Sequence, residues 1–151
     1  MKGKEKNMNL IFDATRFQFH DKDYEKEVNQ SILDANPHFK EYENVGGVYS
    51  IWYKDQCLYV GCSKTIGMRW ANHCRNITDK KSLEYNKHQY AEMRKVYNDL
   101  SFVVEEIFPY DEKYDKEEYF SQLQKLEKKY KIELQPIFDR SKDLFFQYID
   151  I

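Results

Sequence analysis

Long apolar runs are missing from this 151-residue chain. No stretch approaches the ~20 apolar residues of a membrane-spanning helix, and no apolar signal region opens the N-terminus. A protein outside membranes and inside the cytoplasm is therefore expected. Cysteine is scarce: Cys57, Cys62 and Cys74 are an odd number, which builds no fully paired disulfide framework and suits reduced thiols. An excess of positive charge is missing too. The net charge of −2 excludes a uniformly basic, nucleic-acid-coating surface, though not a local basic groove. There is no internal repeat and no low-complexity linker, and the length suits one domain with a real core. What the chain has in quantity is aromatic residues, 17% of the total with 13 Tyr and 10 Phe. Most of them must be packing residues, so a functional role for any one tyrosine needs support beyond its identity.

The rest of the chain is organised around residues 46–63. Two β-rich runs, Val48–Tyr53 and Cys57–Cys62, flank the turn-forming Lys54-Asp55-Gln56, which predicts a hairpin. Strand side chains alternate, so Gly47, Tyr49 and Ile51 share one face, and Cys57, Tyr59 and Gly61 share another. In the right register Tyr49 and Tyr59 lie side by side. Gly46, Gly47 and Gly61 leave room beside them for another backbone or a ligand.

Before the hairpin, residues 1–7 are charged, and Asn9–Phe19 is apolar enough to pack as an extended segment. Tyr24, Val28, Ile32 and Ala35 recur at helical spacing until Asn36-Pro37 stops the helix. Cations and carboxylates are equal in number over residues 1–40, so this N-terminal extension reads as a structural cover and not as a DNA-binding arm. After the hairpin, Ser63 is a candidate N-cap for a helix to about Ile77, with Ile66, Trp70, Cys74 and Ile77 as its apolar stripe. Arg69 and His73, four residues apart, lie one above the other on an adjoining face. A second helix is expected over Asn86–Tyr97, a third strand over Ser101–Phe108, and a long helix over Lys116–Lys131 with Tyr119, Leu123, Leu126 and Tyr130 inward. Residues 141–151 form a C-terminal extension, in which Leu144, Phe145, Phe146 and Tyr148 suggest a short terminal helix or strand. The expected fold class is α+β: a small three-stranded antiparallel sheet flanked by helices, occupying residues 41–140.

Charge marks two places for chemistry. Residues 62–95 hold eight cations, Lys64, Arg69, Arg75, Lys80, Lys81, Lys87, Arg94 and Lys95, against three carboxylates. That segment is either a solvated helical surface or a phosphate-tracking groove. Glu127 falls on the stripe of Leu123, Tyr130 and Leu134, at the edge of an apolar face. A carboxylate there needs a counter-charge. Lys128 or Lys131 is the commoner remedy, and a hard divalent cation such as Mg²⁺ is the other.

Gly47-Val48-Tyr49 followed by Tyr59-Val60-Gly61 resembles the signature of the GIY-YIG nucleases, which include homing endonucleases, some restriction enzymes and the incision subunit of bacterial nucleotide-excision repair. Arg69 and His73 match the Arg and His/Tyr of the family's next helix. Glu127, with Pro136 nine positions on and Asp139 twelve positions on, is similar to the excision-repair branch, where that last residue is Asn. The resemblance runs from Gly47 to Asp139. It implies the GIY-YIG fold and a DNA endonuclease hydrolysing phosphodiester bonds with a single Mg²⁺ or Mn²⁺ on Glu127.

The implied catalytic set is Tyr49, Tyr59, Arg69, His73 and Glu127. In it Arg69 clamps the phosphate, Tyr49, with its pKa lowered by Lys64 or the metal-bound network, takes the proton of the attacking water, and Tyr59 and His73 orient water or phosphate. A neutral His73 is the competing base, since its ordinary pKa lies nearer neutrality. Lys64, Arg69, Arg75, Lys80, Lys81 and Lys87 are the candidate DNA contacts. The chain departs from the family at two positions: ionised Asp139 cannot donate a hydrogen bond as Asn would, and Cys62 stands where Lys follows Tyr-Val-Gly, with Lys64 as its substitute.

Two rivals remain. Cys57, Cys62, Cys74 and His73 could suggest zinc, but their spacing matches no familiar finger and Cys57 and Cys62 alternate onto different faces. A nuclease fold that is weak or inactive and only binds DNA or protein is favoured by Asp139 and the net acidity, and opposed by the complete catalytic set. Specificity is left to loops, the N-terminal extension, DNA shape, or a partner, whether a second copy of the chain or another protein.

Overall fold

The computed structural model describes residues 22–140; the expectations for residues 1–7, Asn9–Phe19 and 141–151 lie outside them. In chain order the elements are α1 (Lys22–Asp34), α2 (Pro37–Glu41), β1 (Gly47–Tyr53), β2 (Gln56–Ser63), α3 (Ile66–Thr78), α4 (His88–Lys95), a 3₁₀ turn (Tyr97–Asp99), β3 (Leu100–Ile107), α5 (Lys116–Leu134) and α6 (Ile137–Arg140). The described residues form two compact units: a helical unit of 22–43 and 67–98, and a sheet unit of 44–66 and 99–140.

The sheet is three-stranded and antiparallel, in the order β2-β1-β3. Its central strand, β1, reads Gly-Val-Tyr-Ser-Ile-Trp-Tyr, and its first five residues are buried. This is the behaviour of a β-branched and aromatic run with a neighbour on each side. The connection to β2 is a two-residue turn, Lys54-Asp55, with Lys54 in the left-handed region (φ 53°) and Gln56 already paired to Tyr53. Gly47 has φ 155°, and a Cβ there would lie 2.0 Å from the Glu106 carbonyl oxygen. Only glycine lets β1 approach β3 so closely at that position.

A β-bulge at Ile51/Trp52 resets the alternation of β2. Ile51 pairs with Tyr59, but Trp52 pairs with Cys57. Cys57 therefore leaves the Tyr59–Gly61 face that strict alternation gives it, and joins Val48 and Val60 in a core packed by Trp52, Cys62, Leu126, Tyr130 and Leu134. Cys57 and Cys62 thus lie on one face, because a bulge inserts one residue and flips all beyond it.

Helix α5 covers that face. Asp115 caps its N-terminus, accepting from the Glu117 N–H, while Glu117 and Glu118 in the first turn and Lys131 in the last turn complement the helix dipole. Gln135 closes it in the left-handed conformation ahead of Pro136.

In the helical unit α1 buries Tyr24, Val28, Ile32 and Leu33, and α3 buries Trp70, Ala71, Cys74 and Ile77. His38 of α2 stacks on Trp70 at 5.0 Å, with Phe39 at 5.3 Å. Pro37 is the first residue of α2 as well as the stop for α1, since its fixed φ suits a helix start. Ser63 accepts from the Thr65 N–H at 2.9 Å. That turn precedes α3, which begins at Ile66.

Candidate active site

The hairpin brings Tyr49, Tyr59 and Gly61 together. Tyr49 is paired with Gly61 and Ile51 with Tyr59, so the two tyrosines are diagonal neighbours on one face, with ring centroids 6.1 Å apart. The Tyr49 ring lies across Gly61: a Cβ there would come within 2.5 Å of the Tyr49 hydroxyl oxygen and 2.8 Å of the Tyr59 ring. Glycine at 61 is what lets the phenol of a buried tyrosine lie flat against the strand.

On α5, the Glu127 carboxylate is 24% exposed, and Lys131 lies 3.9 Å from it. The same ammonium is 3.9 Å from Asp139, which is 47% exposed. Two carboxylates share one ammonium at loose distances, so the cluster keeps a net negative charge and hard oxygen lone pairs. A mostly hydrated Mg²⁺ fits such a donor set. Among the described residues no group of three or more His, Cys, Asp or Glu gathers as a metal cage. The ammonium shared between Glu127 and Asp139 depends on where residue 139 is placed after the αL cap, which helical spacing alone does not reveal.

His73 and Arg69 differ sharply in setting. Arg69 is exposed. His73 is 3% exposed, and burial, reinforced by the Arg69 charge, pushes its pKa down to about 3. Its Nδ1 lies 2.8 Å from the Tyr90 hydroxyl. Asn76 Nδ2 donates to that hydroxyl at 3.3 Å, and the Ser82 hydroxyl donates to Asn76 Oδ1. Tyr90, Asn76 and Ser82 escaped sequence reasoning. Tyr90 carries only the spacing signal of an inward helix residue.

The candidate DNA contacts do not form a single set. Arg75 is 4% exposed; it donates to Asn29 at 3.0 Å and Asn72 at 2.9 Å and lies 3.6 Å from Glu25. Its guanidinium is committed to the interior of the helical unit, which corrects its place among exposed phosphate contacts. The stripe of α3 that carries Cys74 and Ile77 leaves residue 75 facing α1. Lys64, Lys80, Lys81 and Lys87 are exposed. Of these, Lys64 lies over the Tyr110 ring at 4.1 Å and Lys87 pairs with Glu84 at 3.1 Å. Arg94 ties the end of α3 to the following loop, donating to the Ile77 carbonyl at 2.5 Å and the Tyr85 carbonyl at 2.9 Å.

A hairpin presenting paired tyrosines lies on the same α+β sheet unit as a long helix carrying a partly buried glutamate. The chain matches the family model of the GIY-YIG catalytic domain over residues 45–137. It belongs to the GIY-YIG family, whose members are typically endonucleases with DNA as substrate. No curated protein and no solved structure matches it. Among the described residues no helix is long and apolar enough to cross a membrane.

Proposed function

We propose that this chain is a metal-dependent DNA endonuclease, hydrolysing phosphodiester bonds with a single Mg²⁺ or Mn²⁺. The observation that carries the reading is Glu127: a half-buried carboxylate whose ion pair with Lys131 is a loose 3.9 Å. Glu127 would hold the ion, with Asp139 close by across Lys131. When bound, the ion polarises the scissile phosphate and steadies the leaving 3′ oxygen.

The chain's own side chains supply the rest. Tyr49, once it has lost its own phenolic proton, accepts the proton of the attacking water; its ring is held by the Gly61 register and the Tyr59 ring. Arg69, exposed and with no ion pair among the described residues, offers a fork of donors to a non-bridging phosphate oxygen. Tyr59 orients water or phosphate. Lys64, Lys80, Lys81 and Lys87 follow the DNA backbone from solvent-exposed positions.

The test is plasmid cleavage by the purified chain. Supercoiled DNA should be nicked or linearised with Mg²⁺ or Mn²⁺ and left intact with EDTA. Activity unchanged in EDTA would remove the metal from the reading. The second reading, a fold that binds DNA or protein without cutting, is favoured by Asp139 and the net charge of −2. DNA retained at every metal concentration without a single break would select it.

A further inference from the structure

We propose that Leu83 is a DNA wedge: an apolar side chain on a braced turn of the helical unit that inserts between stacked base pairs from the minor groove, while Lys80 and Lys87 hold the flanking phosphates. DNA as the partner rests on the nuclease reading; the wedge adds how the 79–87 segment engages the duplex.

Leu83 is 77% exposed, more than any other large apolar residue among the described residues. A single exposed leucine is ordinary on a protein surface. What sets this one apart is how it is held. It takes the second position of a turn closed by the Tyr85 N–H, which donates to the Ser82 carbonyl at 3.2 Å. Both ends of that turn are fixed. Ser82 is buried, its N–H donates to the Asp79 carbonyl at 2.9 Å, and its hydroxyl donates to Oδ1 of Asn76 on α3. At the other end Arg94 of α4 donates to the Tyr85 carbonyl at 2.9 Å and lies over the Tyr85 ring at 3.6 Å. Arg94 is itself tied to the last turn of α3 through the Ile77 carbonyl. A tip braced in this way loses little conformational freedom when it binds.

Charge selects the partner. Lys80 and Lys87 are exposed, and Lys81 beside them is exposed too. Lys80 has no ion pair among the described residues. Lys87 pairs with Glu84 at 3.1 Å, with the two side chains 55% and 46% exposed, and a pair so open to water is readily exchanged for a phosphate. Over residues 80–88 three lysines stand against the single carboxylate of Glu84. An apolar protein surface closing on Leu83 would bury ammonium groups without counter-charge. A duplex meets both needs at once: an opened base step offers the leucine an apolar slot, and the phosphates on either side take the lysines.

The full chain in EDTA, mixed with a short duplex that carries 2-aminopurine in place of its adenines and a dye at each end, reports insertion without any cleavage. The wild-type chain should raise the 2-aminopurine fluorescence, which stacking quenches, and shorten the distance between the dyes as the duplex kinks. Leu83→Ala should lose both responses. Its affinity should fall less than about tenfold, because the gain from burying the side chain is largely offset by the cost of unstacking. Leu83→Met keeps the apolar reach and should keep both responses. Lys80→Ala should weaken binding to all sequences and lower the log–log salt slope by about one.

Unstacking and kinking by Leu83→Ala equal to the wild type overturns the wedge. So does an unchanged DNA response in Leu83→Ala together with a loss of self-association in sedimentation, which would make the tip a contact between copies of the chain. A wild-type chain that cuts with Mg²⁺ but leaves 2-aminopurine stacked in EDTA sinks the wedge and spares the nuclease reading. A chain that kinks DNA through Leu83 and never cuts it with Mg²⁺ does the reverse.

Discussion

At the scale of single residues, the working groups are separated from the packing groups by their neighbours and not by their type. Tyr49 is one of 13 tyrosines, distinguished by lying over a glycine with a second tyrosine ring 6.1 Å away. Tyr49→Phe removes one hydroxyl and little packing. Cleavage should fall by roughly a hundredfold, the low end for losing a general base, with a small change in melting temperature. Tyr53→Phe, at the turn end of the same strand, serves as the control and should be nearly silent. Equal cleavage rates in the two variants would reduce the hairpin tyrosines to packing. Glu127 is distinguished by its thin supply of counter-charge. Glu127→Gln keeps its shape and removes the charge, so cleavage should drop by about a hundredfold or more while DNA binding measured by mobility shift persists. Normal cutting by this variant would place the metal elsewhere.

At the scale of elements, α5 does two jobs. Its Leu126, Tyr130 and Leu134 pack on the sheet, while Glu127 and Lys131, one turn apart, face the region where Asp139 arrives on α6. The αL cap at Gln135 and the following Pro136 make that return possible. Asp139 lies in the charge field of Glu127, and at an effective dielectric near 20 two such charges about 6 Å apart repel by roughly 3 kcal/mol before screening. The same charge repels DNA phosphate. Asp139→Asn should therefore tighten DNA binding and raise the cleavage rate a few-fold, with little change in the Mg²⁺ concentration required. A Mg²⁺ titration of both proteins checks this; a clearly higher requirement in the Asn variant would make Asp139 a ligand.

For the whole molecule, burial of ionisable groups sets a pH window for stability. The His73 pKa falls from 6.5 to about 3 on folding. Between those values the unfolded chain binds a proton that the folded chain refuses, so stability is present above about 6.5 and is lost as the pH falls toward 3. Cys74 acts at the other end. Burial pushes its thiol from 9.0 up to about 12, so stability is lost as the pH rises beyond 9. Tyr24, raised by burial and by its hydrogen bond to Asp79, acts in the same direction at still higher pH. Denaturant melts should show a plateau between about pH 6.5 and pH 9, with His73 contributing at most about 1.4 kcal/mol per pH unit to the acid side. His73→Gln should flatten the acid limb, and an unchanged limb would remove His73 as its source.

Much of this protein follows from sequence alone because its signals are local and repeat. Alternation over Val48–Tyr53 yields β1. The stripe Ile66, Trp70, Cys74 and Ile77 yields α3, and Asn36-Pro37 ends α1 where expected. The placement of Tyr49 beside Tyr59 needed only period two and glycines. Helices α2 and α6, of five and four residues, are too short to show a period. Other features depended on the tertiary structure. The bulge at Ile51/Trp52 moves Cys57 to the opposite face, because register across two strands is a property of the pair. Arg75 turns inward because Asn29 and Glu25 of α1 offer it partners about 46 and 50 positions earlier in the chain. His73 becomes a buried ring in contact with Tyr90 of α4, whose hydroxyl is in turn held by Asn76 of His73's own helix. Which atom of a side chain is protonated, and which charge meets solvent, depends on groups remote in sequence, and only packing brings those groups within hydrogen-bonding distance.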